Sequence, residues 1–196
     1  MSEPVYDYRL EEEPRYEIIG GEKIYMAASP NPNHVTISSR IFSIFEHYFD
    51  VNNISGGIFV ECDVHLPEEN HVLIPDVSIV RDLNIVLRDK AIYGVPDLVV
   101  EVLSRSTMNK DIGIKKSIYE RNGVKEYWII SPWAKSIEVY HLIDGKYKLD
   151  YAYQIYSNDD LEMLEESELK AIKYEIKVSI FDDLMVDVRK VFKWWI

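Results

Sequence analysis

Hydrophobic and polar residues alternate with two different periods along this chain, and the changes of period mark its elements. Residues 16–26 alternate around Gly20-Gly21, the pattern of a β-hairpin. Asn31-Pro32-Asn33 then opens a helix that runs to about Phe49, with His34, Ser38, Ile41 and Phe45 recurring on its apolar face. Residues 57–66 read as one strand, with Ile58, Val60, Cys62, Val64 and Leu66 on one side. Phe59, Glu61, Asp63 and His65 occupy the other side, which is expected to face solvent. Residues 72–80 and 97–103 are apolar strands, and 125–130 and 137–142 are further strands. Residues 111–122 form a helix that stops at Gly123, a suitable C′ residue. Helix-covered strands in a mixed β-sheet predict an α/β fold with an N-terminal β-hairpin.

One strand contains an acid. In Leu98-Val99-Val100-Glu101-Val102-Leu103, the residues Leu98, Val100 and Val102 share one face and Val99, Glu101 and Leu103 the other, so neither face is polar. Such a strand is covered on both sides. Burying an ionised carboxylate there costs several kcal/mol unless a cation, metal or donor compensates it. Glu101 therefore needs a partner, and a structural ion pair is the simplest one.

Asp76 follows Pro75 in the preceding apolar strand, and the proline restricts that segment to an edge, a strand start or a bulge. Bulges beside active sites re-aim side chains; the less favoured alternative is that Pro75-Asp76 merely breaks a strand. Two carboxylates from adjacent strands with a nearby lysine form an oxygen-rich site suited to Mg²⁺ or Mn²⁺.

The lysine is chosen by helical geometry. At 100° per residue from Asp111, the residues Ile112, Ile114, Ile118 and Tyr119 fall at about 100°, 300°, 340° and 80°, a stripe centred near 30°. Lys115 falls at about 40°, inside the stripe, and Lys116 at about 140°, on its margin. Lys115 is thus aimed at the sheet, where Glu101 or a bound phosphate would balance it, unless it pairs with Asp111 and snorkels outward. Tyr119 reads as core filler.

The stretch from Gly94-Val95-Pro96-Asp97 through Leu98–Ser104, then Ser106-Thr107, Asp111, Lys115, Tyr119, Gly123-Val124, Glu126-Tyr127-Trp128 and Pro132, resembles the bacterial Uma-two family. That family is assigned to the PD-(D/E)XK nuclease superfamily of restriction-endonuclease-like proteins. The likeness extends from Tyr16-Glu17-Ile18-Ile19, through His34, to residues 184–192, nearly the whole chain. It implies a restriction-endonuclease-like fold and a Mg²⁺- or Mn²⁺-dependent endonuclease acting on nucleic acid, DNA first among them. Carried over residue by residue, the metal-binding acids fall on Asp76 and Glu101, with the backbone carbonyl of Val102 completing the shell. The position two residues after the acid, where the superfamily has lysine, holds Leu103, which implies that the lysine has moved to the following helix, in agreement with Lys115. Arg105 and Ser131 replace the family's proline and aspartate. The implied catalytic set is Asp76, Glu101 and Lys115, with Glu17, His34 and Asp111 as accessory candidates. Glu17 would add a third carboxylate or stay an exposed strand acid, the favoured reading, and His34 would contact the site or pack, with packing favoured.

Composition limits the alternatives. With 196 residues, 47% of them hydrophobic, the chain can bury a sizeable core, and no linker or repeat divides it, so residues 1–196 are expected to form one domain. Cys62 is the single cysteine, which excludes an intrachain disulfide, fits a reducing compartment and suggests a buried strand residue. No signal peptide is recognisable and no apolar run approaches about 18 residues, so a soluble, cytoplasmic chain without membrane attachment is expected. The histidines show no zinc-ligand spacing, and no Walker, G-x-S-x-G or G-x-G-x-x-G motif occurs.

A net charge of −12 offers no broad electrostatic footprint for nucleic acid, so weak affinity is expected. The acids Asp159, Asp160, Glu162, Glu165, Glu166 and Glu168 are expected on a solvated face away from the site. The end Val191-Phe192-Lys193-Trp194-Trp195-Ile196 would fold back or form an interface; a homodimer is the expectation, resting more on the superfamily than on these residues. The competing function is a catalytically inactive member of the fold serving as a binding or regulatory module. Convergence of both carboxylates and the Lys115 amine on one cleft separates the two.

Overall fold

The structure, a computed structural model, describes residues 14–26, 31–82, 87–88 and 91–193. In chain order its strands are β1 (Tyr16–Ile19), β2 (Glu22–Tyr25), β3 (Gly57–Val60), β4 (Asp63–Leu66), β5 (His71–Leu73), β6 (Val77–Val80), β7 (Leu87–Arg88), β8 (Ala91–Tyr93), β9 (Leu98–Val102), β10 (Glu126–Ser131), β11 (Ser136–Ile143), β12 (Lys146–Gln154), β13 (Glu175–Lys177) and β14 (Met185–Asp187). Helix α1 spans Pro32–Asn52, α2 joins Met108–Lys110, Asp111–Lys115 and Lys116–Asn122, and α3 (Asn158–Glu162), α4 (Glu166–Ala171) and α5 (Val188–Val191) are short.

The central sheet has the order β12-β11-β10-β9-β6-β3, with β9 parallel to β10 and antiparallel to β6. The alternation expected in β9 is observed. Leu98, Val100 and Val102 enter a core shared with Ile37, Ile41, Phe45 and Phe49 of α1, while Val99 and Leu103 enter a second core with Ile118 and Tyr119. A second six-stranded sheet, β2-β1-β5-β4-β8-β7, covers that second core through Val64, Leu66, Leu73 and Ile92. The α/β class with an N-terminal hairpin, β1 with β2, is therefore as expected, with a second sheet added.

Residues 57–66 do not form one strand. The chain breaks at Glu61, whose φ is 48°, so that β3 joins the central sheet and β4 the second. Residues 72–80 break in the same way at Ile74-Pro75-Asp76, between β5 and β6. The pair is thus one long hairpin bent at mid-length, with Glu61 N donating to the Asp76 carbonyl across the corner at 3.2 Å. Proline is tolerated there because position 75 leaves both ladders. Alternation carries no information about such a bend, so the single-face reading fails: Val60 is 43% exposed, and Cys62 is half-buried at the corner rather than inside a strand. Glu61 is half-buried and paired with Arg15 at 2.6 Å.

Helix α2 departs from ideal geometry at Asp111–Lys115, a π-helical turn. A turn closed i→i+5 advances less per residue than an α-helix, so its lag offsets the lead of the following α-turn and Asp111 and Tyr119, eight apart, fall nearly in line. The 100° wheel therefore misplaces Ile112 and Ile114, which are 46% and 44% exposed, whereas Asp111, Lys115 and Tyr119 are buried in a row. Gly123 at φ 85° ends the helix as expected.

The acidic run 159–168 lies on α3, α4 and their connection with its carboxylates exposed. Val191 and Phe192 are buried, while Trp194, Trp195 and Ile196 lie outside the described residues. Among the described residues no helix is long and apolar enough to cross a membrane.

Candidate active site

The bend in the long hairpin sets Asp76 beside Glu101. Strands β6 and β9 pair with Val77 opposite Val100, so Asp76, one residue before β6, stands across from Glu101. Asp76 Oδ2 accepts from Val102 N at 2.6 Å, which ties the corner to the following strand, and Oδ1 lies 2.7 Å from His34 Nε2 near the start of α1. Glu101 projects into the second core, where its Oε1 meets Lys115 Nζ at 2.7 Å and the Tyr119 hydroxyl at 2.9 Å. Lys115 Nζ also lies 3.0 Å from Glu17 Oε1 and 3.4 Å from Asp111 Oδ1. Glu17 Oε1 accepts from Ile74 N at 3.1 Å, so one β1 side chain braces the proline corner and the lysine together. Lys110 Nζ stands 3.7 Å from Glu17 Oε2, and the Tyr127 hydroxyl donates to the Asp111 carbonyl at 2.9 Å, holding the π-turn.

Lys115, Glu101, Glu17 and Asp111 are almost fully buried, whereas the Asp76 and His34 side chains are each 13% exposed. The cluster is thus least enclosed at Asp76, His34 and Lys110, whose side chain is 27% exposed.

The structure brings Asp76, Glu101, Lys115 and Asp111 into one cluster, and Lys115 points inward. Two leanings need correction. Glu17 is buried rather than an exposed strand acid, because β1 turns its Glu17 and Ile19 side towards the second core. His34 does more than pack, since its ring reaches the Asp76 carboxylate from the edge of the helix face. Tyr119 fills the core as expected, but its hydroxyl contact with Glu101 was missed, as were Tyr127 and Lys110. The available signals were an acid between Tyr16 and Ile18 and a tyrosine four residues after the inward lysine. Lys116 lies over the Tyr140 ring, 3.2 Å from its centroid.

Burial is the dominant influence on these groups. It drives the Glu101 carboxyl well above the usual range, an effect that Lys115 opposes and that the Asp111, Asp76 and Glu17 charges reinforce. Asp111 is raised for the same main reason, against the pull of Lys115 and a Thr107 hydrogen bond. For Lys115 desolvation acts downward, but the Glu101, Glu17 and Asp111 charges outweigh it and the ammonium titrates well above its usual value. His34 is raised too: burial lowers it, and the hydrogen bond to Asp76 with the Asp76, Glu61 and Asp111 charges more than offsets that.

The donor set is chemically suited to a hard divalent cation. Three carboxylates surround one buried ammonium, so the cluster has more negative than positive charge to place in a dry site. Asp111 Oδ1 is buried without a hydrogen-bond partner among the described residues. Among those residues no three His, Cys, Asp or Glu side chains form a ready-made cage. Mg²⁺ needs none, because it binds through one or two carboxylates and keeps several waters. Asp76 and Glu101, set opposite each other on neighbouring strands, are two carboxylates of that kind.

A family model described as "Putative restriction endonuclease", Uma2, matches residues 3–177. The chain belongs to the Uma2 family. The "Uncharacterized protein slr1290" of Synechocystis sp. is 30% identical to this Uma2 chain over 153 residues, 76% of each sequence. Among solved structures, a "putative nuclease belonging to DUF820" from Anabaena variabilis superposes with a TM-score of 0.64 at 19% identity, covering 95% of this chain and 94% of its own. At that identity the likeness establishes the shared fold, and the Uma2 membership supplies the restriction-endonuclease-like assignment.

Proposed function

We propose that this Uma2 chain is a Mg²⁺- or Mn²⁺-dependent endonuclease that hydrolyses phosphodiester bonds of nucleic acid, DNA in the first instance. Asp76, Glu101 and Lys115 are its catalytic groups. The observation that carries the reading is the convergence of two carboxylates from neighbouring strands with a buried lysine amine 2.7 Å from one of them. A bound divalent cation supplies polarisation of a phosphoryl oxygen and a more acidic attacking water. Asp76, Glu101 and the Val102 carbonyl would hold it. The hydrogen bond from Val102 N and the His34 ring fix the Asp76 carboxylate on its two oxygens. Lys115, the buried ammonium among these acids, would orient the water or balance charge on the phosphate as it develops. Glu17 and Asp111 keep that lysine charged and aimed.

An inactive binding or regulatory module is the second reading. It is favoured by Leu103 at the superfamily's lysine position and by the near-complete enclosure of Lys115. Cleavage of single- and double-stranded DNA and RNA with Mg²⁺ or Mn²⁺ separates the two, comparing the native chain with Glu101→Ala and Lys115→Ala at equal folded concentration. The nuclease reading expects metal-dependent cleavage that both variants lose. Activity that survives Glu101→Ala points to another site or a contaminant, and none under any condition favours the module. A cytoplasmic homodimer belongs to the same proposal, and the mass in solution tests its oligomeric part.

A further inference from the structure

Two donors converge on a single oxygen of Glu101. Lys115 Nζ and the Tyr119 hydroxyl both reach Oε1, at 2.7 and 2.9 Å, while no hydrogen bond reaches Oε2 among the described residues. The terminal torsion of a glutamate is broad and two-fold, so the orientation of its carboxylate is set by its partners. Lys115 divides its ammonium among Glu101, Glu17 and Asp111, and its pull alone does not select one Glu101 oxygen. The Tyr119 hydroxyl donates to Glu101 alone. Its ring is held firmly: it is fully buried and lies 5.3 Å from the Tyr127 ring, which stacks on Tyr147 at 5.7 Å.

The π-turn aligns Asp111, Lys115 and Tyr119 along one line of α2, so the phenol arrives at Glu101 from the element that also delivers the lysine. A phenylalanine would fill the same volume. A buried hydroxyl at that place is explained by the hydrogen bond it makes. The phenol is also neutral, so it orients the carboxylate without cancelling the charge that would attract a cation, as a second ammonium would.

We infer that Tyr119 is the positioning residue of Glu101, occupying Oε1 so that Oε2 is the oxygen offered to a divalent cation. The inference rests on reading Glu101 as a cation ligand, and it adds a residue to that reading.

The test compares the native chain with Tyr119→Phe and with Tyr147→Phe, which removes a neighbouring ring hydroxyl bonded to the Val124 carbonyl at 3.0 Å. Mn²⁺ affinity is read by electron paramagnetic resonance and cleavage by kcat and KM. Tyr119→Phe should weaken Mn²⁺ binding about tenfold and lower kcat by at least as much, with KM for nucleic acid nearly unchanged. Tyr147→Phe should match the native chain in both. If Tyr119→Phe binds Mn²⁺ within about twofold of native, whatever its melting temperature, Tyr119 is structural and the inference is overturned.

Should Tyr119→Phe fail to fold, 3-fluorotyrosine at position 119 keeps the hydroxyl. Its fluorine resonance should then move during a Mg²⁺ titration with the midpoint found by calorimetry, and a stationary resonance at saturation overturns the inference. A native chain that binds Mn²⁺ but cleaves nothing defeats the nuclease reading and leaves Tyr119 to be decided by the affinities. A native chain that binds no divalent cation overturns both.

Discussion

Lys115 carries the charge balance of the cluster almost alone, with Glu101, Glu17 and Asp111 all within 3.4 Å of its amine. Replacing it with methionine keeps much of the volume and strands three buried acids. Lys115→Met should therefore lose about 3–5 kcal/mol near neutral pH, measured by urea unfolding in EDTA. The pH dependence follows from Glu101, whose folded pKa lies above its unfolded value. Between those two values the folded state holds the extra proton, so this group's contribution falls as pH rises through the window. Removing Lys115 raises the folded value further and widens the window. The deficit of Lys115→Met should accordingly shrink as pH falls from about 8 to about 5, and a constant deficit would mean that the acids do not share this charge. The apolar run around Glu101 is enough to demand a partner, and the helix places Lys115 within reach. Glu17 and His34 were not legible in the same way, because their burial depends on β1 and α1 docking against residues more than 40 positions away.

The same limit is sharper for elements. Period-two alternation identifies the strand residues of 57–66 and 72–80 but is blind to the bend that sends their halves to different sheets, since a left-handed residue at Glu61 has no glycine to announce it. The π-turn is equally silent in the sequence, yet it decides that Ile112 and Ile114 leave the buried stripe of α2. Gly113 isolates that effect, because a Cβ added there would meet no atom within 4 Å. Gly113→Ala should leave the site intact and stabilise the helix by about 0.5–1 kcal/mol. Deleting Gly113 should instead close the turn as ordinary α-helix and rotate Asp111 away from Lys115, weakening Mn²⁺ binding through the displaced lysine while helical circular dichroism persists. Unchanged binding in the deletion would show that the π-turn is dispensable.

For the whole molecule, the central sheet gives one face to each core, so the two cores of the described residues share it as a wall. Charge is the property that most constrains its dealings with a polyanion. The chain has 22 lysines and arginines against 34 acids, and many surface cations are already engaged: Arg15 with Glu61, Lys125 with Asp97, Arg121 with Glu69 and Lys146 with Glu120. Each phosphate neutralised by a protein cation releases counterions, so the number of contacts is read from the dependence of affinity on salt. Acids outnumber cations along the chain, which opposes such contacts, and a bound divalent ion would supply much of the attraction locally. A fluorescent oligonucleotide, bound with Ca²⁺ in place of Mg²⁺ and followed by anisotropy, should therefore give a shallow plot of log affinity against log salt, with a slope no steeper than about −2. The slope should change little between single and double strands, because the contact count is small in both. A slope near −6 or steeper would require a run of about six or more phosphate contacts, and would place most of the nucleic acid on a different face from Asp76.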